Sequence, residues 1–220
     1  MEKTRVISYG LGAVGTRIAK LLLEKKGIQI VGAIDIAKDK VGKDHGQVLG
    51  LKKLGVTVTD DVEGLMSKAS CDVVIHATGS YLKDVYDQIE PLAKYGANVI
   101  STCEELSYPY ITEPKLGKKL EALGIKYDMT FLGTGINPGF LMDTLVIALT
   151  SVCQKVNSIK VDRVMNAGTS RVLFQKKVGS GLTIDEFKEK MKTKAITGHV
   201  GLEQSVAMIA AALRWDLDKI

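Results

Sequence analysis

The sequence predicts an α/β protein whose first part forms a doubly wound parallel sheet. Short runs rich in β-branched residues alternate with amphipathic helical patterns of roughly 10–15 residues, the arrangement expected for strand–helix–strand units. Such units place parallel strands side by side and join them by right-handed crossovers. A chain of 220 residues with 45% hydrophobic residues is long enough to bury a core of this kind.

The expected elements of the first part follow one another regularly. The pattern predicts strands at 5–9, 28–34, 56–58, 73–77, 98–101 and 130–133. It predicts helices at 13–25, 61–67, 84–94 and 114–123.

The regular alternation of strand and helix patterns ends after Gly135. We therefore expect a first domain at 1–135, of the size of a dinucleotide-binding domain, and a second domain at 136–220. Asn137-Pro138-Gly139 is a turn signal before an apolar helix at 140–150. A long strand is expected at 158–166, followed by helices at 184–192 and near the end of the chain. One strand and three helices are few elements for an α+β domain that binds a substrate or forms a dimer. We therefore expect this domain to be truncated at its C-terminus or dependent on a partner chain.

Composition excludes several classes of function. The formal charge of +5 is scattered over solvated faces without interleaved aromatic residues, which argues against nucleic-acid binding. No uncharged apolar run is long enough to span a bilayer, and no apolar leader is visible, so no membrane association is expected. The three cysteines form no CxxC pair and no metal-ligand spacing. A cytoplasmic protein without a metal site is the expectation.

The strongest motif is the glycine-rich run at 10–15, GLGAVG, between the first strand and the first helix. In this setting Gly10 permits a tight turn, Gly12 lets the backbone approach a pyrophosphate, and Gly15 lets the helix pack against the strand. Ala13 and Val14 open the helix, whose unpaired N–H groups would hold the phosphates. The motif predicts a Rossmann domain that binds a nicotinamide dinucleotide.

Asp35 stands 20 residues after Gly15, at the end of the second expected strand. A carboxylate at this position accepts hydrogen bonds from the adenosine ribose and repels a 2′-phosphate, which favours NAD over NADP. Lys38, Lys40 and Lys43 follow within reach and could soften that preference, so NADP stays open.

The loop after the fourth strand, with Ala77, Thr78 and Gly79, has the small residues that let a cofactor pass closely. It lies where ligands of doubly wound sheets bind. His76, just before it, is interpreted as a core histidine with its hydrogen bonds satisfied, with an acid–base role as the alternative.

The next strand ends in Ser101-Thr102-Cys103-Glu104-Glu105. Two adjacent acids beside a cofactor cleft are candidates for proton transfer. Because neighbouring side chains diverge, only one of them is expected to enter the site, unless both are solvated loop residues. Cys103 raises the alternative of a thiolate nucleophile, as in semialdehyde dehydrogenases.

Polar side chains of the second part are possible substrate contacts: Asp162, Arg163, Asn166, Arg171 and His199. Arg163 could instead form a surface ion pair, and His199 could simply begin the last helix.

Several segments resemble 2,4-diaminopentanoate dehydrogenase of anaerobic ornithine breakdown and the native amine dehydrogenases. They are RVISYGLGAVGTRIAK, DVVIHATGSYLKDVY, NVISTCEELSYPY, GTGINPGFLMDTL, VMNAGTSR and TGHVGLEQS. The chain is more distantly similar to dihydrodipicolinate reductase, but it lacks that family's adjacent-histidine motif with its following lysine.

The resemblance implies NAD(P)-dependent oxidative deamination of an amine, such as 2,4-diaminopentanoate to 2-amino-4-oxopentanoate and ammonia. It implies that Glu104 is the catalytic acid–base residue. It also implies that Asn137, Phe140, Asn166 and His199 surround the nicotinamide and the substrate, and that the protein is a homodimer. The family's chains are longer, so the alternatives are a truncated or non-catalytic dinucleotide-binding module and a Cys103-dependent semialdehyde-type dehydrogenase.

Overall fold

A computed structural model describes residues 2–170, 172–193, 195–196 and 199–220. Six parallel strands form one sheet in the order β3-β2-β1-β4-β5-β6. The strands are β1 (Thr4–Tyr9), β2 (Ile28–Ile34), β3 (Val58–Thr59), β4 (Val73–His76), β5 (Asn98–Ser101) and β6 (Phe131–Gly133). This strand order is that of a doubly wound nucleotide-binding sheet, which confirms the predicted fold class.

Helices connect the strands and continue after the sheet. They are α1 (Ala13–Leu23), α2 (His45–Val48), α3 (Val62–Lys68), α4 (Leu82–Ile89), α5 (Pro114–Tyr127), α6 (Thr144–Thr150), α7 (Val172–Lys177), α8 (Ile184–Lys192) and α9 (Leu202–Leu213). Short 3₁₀ segments lie at Glu90–Tyr95, Glu105–Ser107 and Ala167–Thr169.

The core lies where the central strands meet α4. Ile7, Val74 and Val99, one from each of three adjacent strands, are fully buried together with Val85 and Ile89 of α4. Burial of each such side chain contributes about 1.5–3 kcal/mol of hydrophobic free energy. Consecutive residues of β1, Val6–Tyr9, are all buried, as expected where helices cover both faces of the sheet.

The register aligns the strand ends that carry the candidate site. Tyr9 of β1 pairs with His76 of β4, His76 pairs with Ser101 of β5, and Ser101 pairs with Gly133 of β6. The loops after these four strands therefore leave the sheet side by side, at the edge where doubly wound folds bind ligands.

Within the first part, the predicted helix at 84–94 differs from the structure. The α-helix ends at Ile89, and a 3₁₀ segment containing Pro91 continues to Tyr95. Proline has no N–H to donate and its ring crowds the carbonyl of the preceding turn, so the α-helix stops before it.

The predicted strand at 158–166 is wrong. Residues 154–166 have no regular secondary structure, and Val164 is 96% exposed. An isolated extended segment gains little, because its N–H and C=O groups need a neighbouring strand, and the described part of the chain places none beside it. Apolar residues at alternate positions were therefore insufficient to predict a strand here.

The other helices of the second part need smaller corrections. The expected helix at 140–150 begins at Thr144, because the Asp143 side chain caps it and residues 138–143 form turns. Helix α7 was not predicted. Among the described residues, none of the helices has the length and apolar character needed to cross a membrane.

Candidate active site

A cleft of about 490 Å³ lies at the carboxyl edge of the sheet. The loops after β1, β4, β5 and β6 form one side, and residues of the second part form the other. It is lined by Gly12, Ala13, Val14, Ala77, Thr78, Gly79, Ser80, Thr102, Glu104, Thr134, Gly135, Ile136, Asn137, Pro138, Arg163, Phe174, Lys177 and His199. Most of the residues predicted from the sequence thus share one cavity.

The glycine-rich turn has the geometry that its sequence predicts. Gly10 has a φ of +89°, and a Cβ there would stand 2.7 Å from the carbonyl oxygen of Ala77. A Cβ on Gly15 would stand 1.8 Å from the Gly10 carbonyl oxygen, so only glycine lets α1 pack this closely on the turn. Gly12 is different, because a Cβ there would meet no described atom within 4 Å.

This arrangement fits the phosphates of a dinucleotide. Gly12 faces open space in the cleft at the start of α1, which has no side-chain cap and no acidic residue in its first turn. The free N–H groups and the positive end of the helix dipole are therefore available to an anion. Ala13 and Val14 line the cleft beside them.

Asp35 lies at the end of β2, behind the glycine turn and outside the cleft lining. Its carboxylate accepts hydrogen bonds from the backbone N–H of Leu11 at 2.7 Å and of Ala37 at 2.8 Å, and from Lys40 Nζ at 3.0 Å. Burial would raise the pKa of Asp35, but these hydrogen bonds outweigh it and the pKa lies below its ordinary value. Asp35 is therefore an ionised acceptor at the position where a ribose is expected.

His76 is a core residue, as interpreted from the sequence. It is fully buried, and Ser101 Oγ lies 2.8 Å from its Nδ1. Its Nε2 lies 3.1 Å from Gln88 Oε1, an atom that only accepts, so Nε2 carries the proton and Nδ1 accepts from Ser101. Burial lowers the pKa of His76, which keeps the ring neutral.

The two adjacent acids diverge, and only Glu104 enters the cleft. Glu105 is buried and accepts a hydrogen bond from the backbone N–H of Leu82 at 2.7 Å, which caps the start of α4. Burial raises the pKa of Glu105. The prediction that one acid of the pair would face the site is confirmed.

Cys103 is poorly placed for a thiolate mechanism. It is 1% exposed, lies outside the cleft lining, and donates from Sγ to the Ser80 carbonyl at 3.3 Å. Burial raises its pKa to about 12. A reactive cysteine requires the opposite environment, exposed and electropositive. The geometry argues against the semialdehyde-type alternative.

Asn137 and His199 meet across the cleft although 62 residues separate them. His199 Nδ1 donates to the Val200 carbonyl at 2.7 Å, so Nε2 is the acceptor for Asn137 Nδ2 at 2.8 Å. Asn137 Oδ1 is buried and has no hydrogen-bond partner among the described residues. Such an orphaned acceptor fits a donor from a bound group, for example a carboxamide N–H.

The turn that presents Asn137 is held by Asp143, a residue that the sequence analysis did not single out. Its fully buried carboxylate accepts hydrogen bonds from the backbone N–H of Gly139 at 2.8 Å and from Ser205 Oγ of α9 at 2.8 Å. An acid at the fourth position of an apolar helix pattern was the available signal. Asp143 thereby ties the turn after β6 to the last helix.

Gly201 brings the start of α9 against Pro138 and the loop that carries Glu104. Its φ is +102°, and a Cβ there would stand 2.4 Å from Pro138 Cδ and 3.2 Å from Glu104 Cβ. Glycine is thus required for this close approach.

Lys177, at the end of α7, is a second residue that sequence reasoning missed. Its Nζ lies 3.9 Å from Glu104 Oε1 across the cleft. Arg163, which was a candidate, also lines the cleft. No local pattern predicts the position of Lys177, because it depends on how α7 packs against the sheet.

Other candidates are not brought to this cleft. Phe140 is half exposed outside it, Asp162 pairs with Lys160 on the surface, and Asn166 Oδ1 accepts from the Gly168 N–H to cap a 3₁₀ turn. Arg171 lies outside the described residues. Within those residues, no cluster of three or more His, Cys, Asp and Glu side chains could hold a metal ion.

Two family models match the chain in succession. Residues 4–103 match the N-terminal domain of dihydrodipicolinate reductase. Residues 140–220 match the C-terminal domain of 2,4-diaminopentanoate dehydrogenase.

Individual relatives agree with these matches. The chain is 35% identical to 2,4-diaminopentanoate dehydrogenase of Acetoanaerobium sticklandii over 99% of its length and 62% of that protein's. It is 26% identical to an amine dehydrogenase of Streptomyces virginiae over 97% of its length and 60% of that protein's.

A solved structure is also similar. The amine dehydrogenase of Mycobacterium smegmatis superposes with a TM-score of 0.75 at 31% identity, covering 94% of this chain and 61% of that one. The chain thus spans about three fifths of the length of these relatives. Along nearly its whole length it is therefore similar to 2,4-diaminopentanoate dehydrogenase and to the amine dehydrogenases.

Proposed function

We propose that this protein is an NAD(P)-dependent amine dehydrogenase that oxidatively deaminates a primary amine. The observation that carries the proposal is the position of Glu104, a carboxylate in the cleft that begins at the phosphate-binding glycine turn. A nicotinamide dinucleotide supplies the hydride acceptor when bound. The glycine cradle, the N-terminus of α1 and Asp35 are the residues that would hold it.

The chain's own residues account for the proton transfers. An ammonium cannot release a hydride from its carbon, so Glu104 first accepts a proton to leave a neutral amine. Loss of the hydride then produces an iminium cation, which the anionic carboxylate of Glu104 stabilises once it has passed its proton to solvent. Glu104 next takes a proton from a water molecule as that water adds to the iminium carbon. Collapse of the carbinolamine gives the ketone and ammonia.

The substrate is proposed from the named relatives. 2,4-Diaminopentanoate, oxidised at C4 to 2-amino-4-oxopentanoate, is favoured by the identity to a protein of that name over nearly the whole chain. A simple amine without a carboxylate is the alternative suggested by the amine dehydrogenases.

The proposed cofactor preference is NAD. The Asp35 carboxylate stands where a 2′-phosphate would be repelled, although Lys40 partly neutralises it. The homodimer and the cytoplasmic location expected from the sequence stay predictions.

The decisive experiment incubates purified protein with NAD⁺ or NADP⁺ and 2,4-diaminopentanoate at mildly alkaline pH. Reduced nicotinamide and ammonia are expected in equal amounts. Cofactor binding is measured separately by the fluorescence of the reduced form. Binding without turnover of any amine would replace this proposal by a non-catalytic dinucleotide-binding module.

A further inference from the structure

The cleft contains more positively charged than negatively charged side chains. Among its described lining residues, Glu104 is the single acid, whereas Arg163 and Lys177 are both cations. An ammonium substrate needs only the acid. Two cations in the same cleft would repel such a substrate unless it also brought a negative charge.

Lys177 has capacity for a further partner. At 3.9 Å, the separation of its Nζ from Glu104 Oε1 is too long for a hydrogen bond, so this contact does not saturate the three N–H donors of the ammonium. Its side chain is 33% exposed. A partly buried cation that makes only this long contact with the described residues is stabilised by an anion that enters the cleft.

The position of Arg163 also indicates a site for an anion. It lies on the irregular segment 154–166 and lines the cleft together with Lys177 of α7. Two cations supplied by separate segments to one cavity give a site for a carboxylate, for which arginine and lysine are the usual partners.

We propose that Lys177, together with Arg163, binds a carboxylate of the substrate while Glu104 receives its reacting ammonium group. This inference rests on the proposed function and deepens it, because it assigns the substrate to amines that carry a carboxylate. A zwitterion then has one orientation in which both charges are satisfied. The reacting carbon is thereby fixed relative to the cofactor.

The competing explanation is that Lys177 acts only on Glu104, as a positioning residue that orients its carboxylate. The two explanations differ for substrates without a carboxylate. A residue that acts through Glu104 affects every amine equally, whereas a carboxylate-binding residue discriminates between them.

The experiment compares 2,4-diaminopentanoate with 1,3-diaminobutane, the same diamine without its carboxylate. Lys177→Met is expected to lower the ratio of the two kcat/KM values by roughly 10–100-fold, as for the loss of a charge-assisted hydrogen bond. Most of the change is expected in KM, and Lys177→Arg should restore part of the ratio. Lys176→Met is the matched control, because Lys176 is exposed on the same helix and does not line the cleft; it should leave the ratio unchanged.

Equal losses for both substrates with Lys177→Met, together with a shifted pH profile, would overturn the carboxylate site and leave Lys177 as a positioning residue. If the wild-type protein oxidises neither amine, the proposed function fails. The carboxylate site is then tested by calorimetry with 4-oxopentanoate and the reduced cofactor. If 4-oxopentanoate binds and Lys177→Met weakens this binding, the carboxylate site is supported. If it does not bind, or if Lys177→Met leaves its affinity unchanged, the site is refuted.

Discussion

The Asn137 amide donates a hydrogen bond to His199 Nε2 at 2.8 Å and so joins the turn after β6 to the segment before α9. Because His199 Nδ1 donates to the Val200 carbonyl, Nε2 is the ring nitrogen that accepts from Asn137. The two residues therefore act as one unit on the wall of the cleft.

We expect Asn137→Ala and His199→Ala to be non-additive in their effects on kcat/KM. Removal of either residue breaks the same hydrogen bond, so the double variant should lose less than the two single losses combined. A coupling of about 1 kcal/mol, or roughly fivefold, is expected from steady-state kinetics. Additive effects would show that this hydrogen bond does not form in solution.

Glu104→Gln should reduce turnover by about 10²–10⁴-fold, because the amide cannot accept the ammonium proton. Binding of the reduced cofactor should be unchanged, since the glycine turn and Asp35 are untouched. Glu105→Gln is the matched comparison. It disturbs the cap of α4 and should lower thermal stability while retaining most of the turnover. Substantial activity in Glu104→Gln would remove Glu104 as the base.

The features that could be predicted from the sequence are those determined by residues close to one another along the chain. The glycine run at 10–15 and the short strands around it were predictable, because turn geometry and strand period are local properties. The divergence of Glu104 from Glu105 was predictable for the same reason. The strand expected at 158–166 failed because strand formation requires a partner elsewhere in the chain, and alternating apolar residues do not reveal whether one exists.

The cations and the buried acid of the second part show the same limit. Lys177 reaches the cleft through the packing of α7, and Asp143, besides its local role as the cap of α6, accepts a hydrogen bond from Ser205 of α9. These contacts span tens of residues, so no local spacing encodes them. The cleft therefore contains most of the residues predicted to hold the cofactor, but of those predicted to contact the substrate it lacks Phe140 and Asn166.

Cys103→Ser should retain the turnover of the wild-type protein. The same substitution would abolish turnover if the Cys103 thiolate were the nucleophile. The thiol is buried and its pKa is raised to about 12, so it stays protonated from neutral to mildly alkaline pH. Iodoacetamide should label the exposed Cys153 first and leave Cys103 unmodified in the folded protein. Inactivation that tracks the labelling of Cys103 would instead revive the nucleophile hypothesis.

Because of the Arg5–Asp72 pair, the free energy of unfolding should fall as the pH is lowered. Arg5 donates side-chain and backbone hydrogen bonds to the Asp72 carboxylate, joining β1 to the start of β4, and these lower the pKa of Asp72 from 3.8 to about 2. A depressed pKa means that the contribution is present above about pH 4 and is lost as the pH falls toward 2. Asp72→Asn should thus shift the urea midpoint at neutral pH but not near pH 2. Asp218→Asn, at an exposed position, is the control and should shift neither.

Lys40 should control the choice between the two nicotinamide cofactors. Its Nζ bridges Asp35 Oδ2 and the Leu11 carbonyl, each at 3.0 Å, and so neutralises the carboxylate that would repel a 2′-phosphate. Lys40→Met exposes the full negative charge of Asp35 and should weaken NADPH binding by roughly tenfold more than NADH binding. Asp35→Asn should change the preference in the opposite direction. Both shifts are measured as ratios of dissociation constants by fluorescence titration, with Lys118→Met, at an exposed position of α5, as control. An unchanged ratio in Lys40→Met would mean that Lys40 moves away from Asp35 when either cofactor binds.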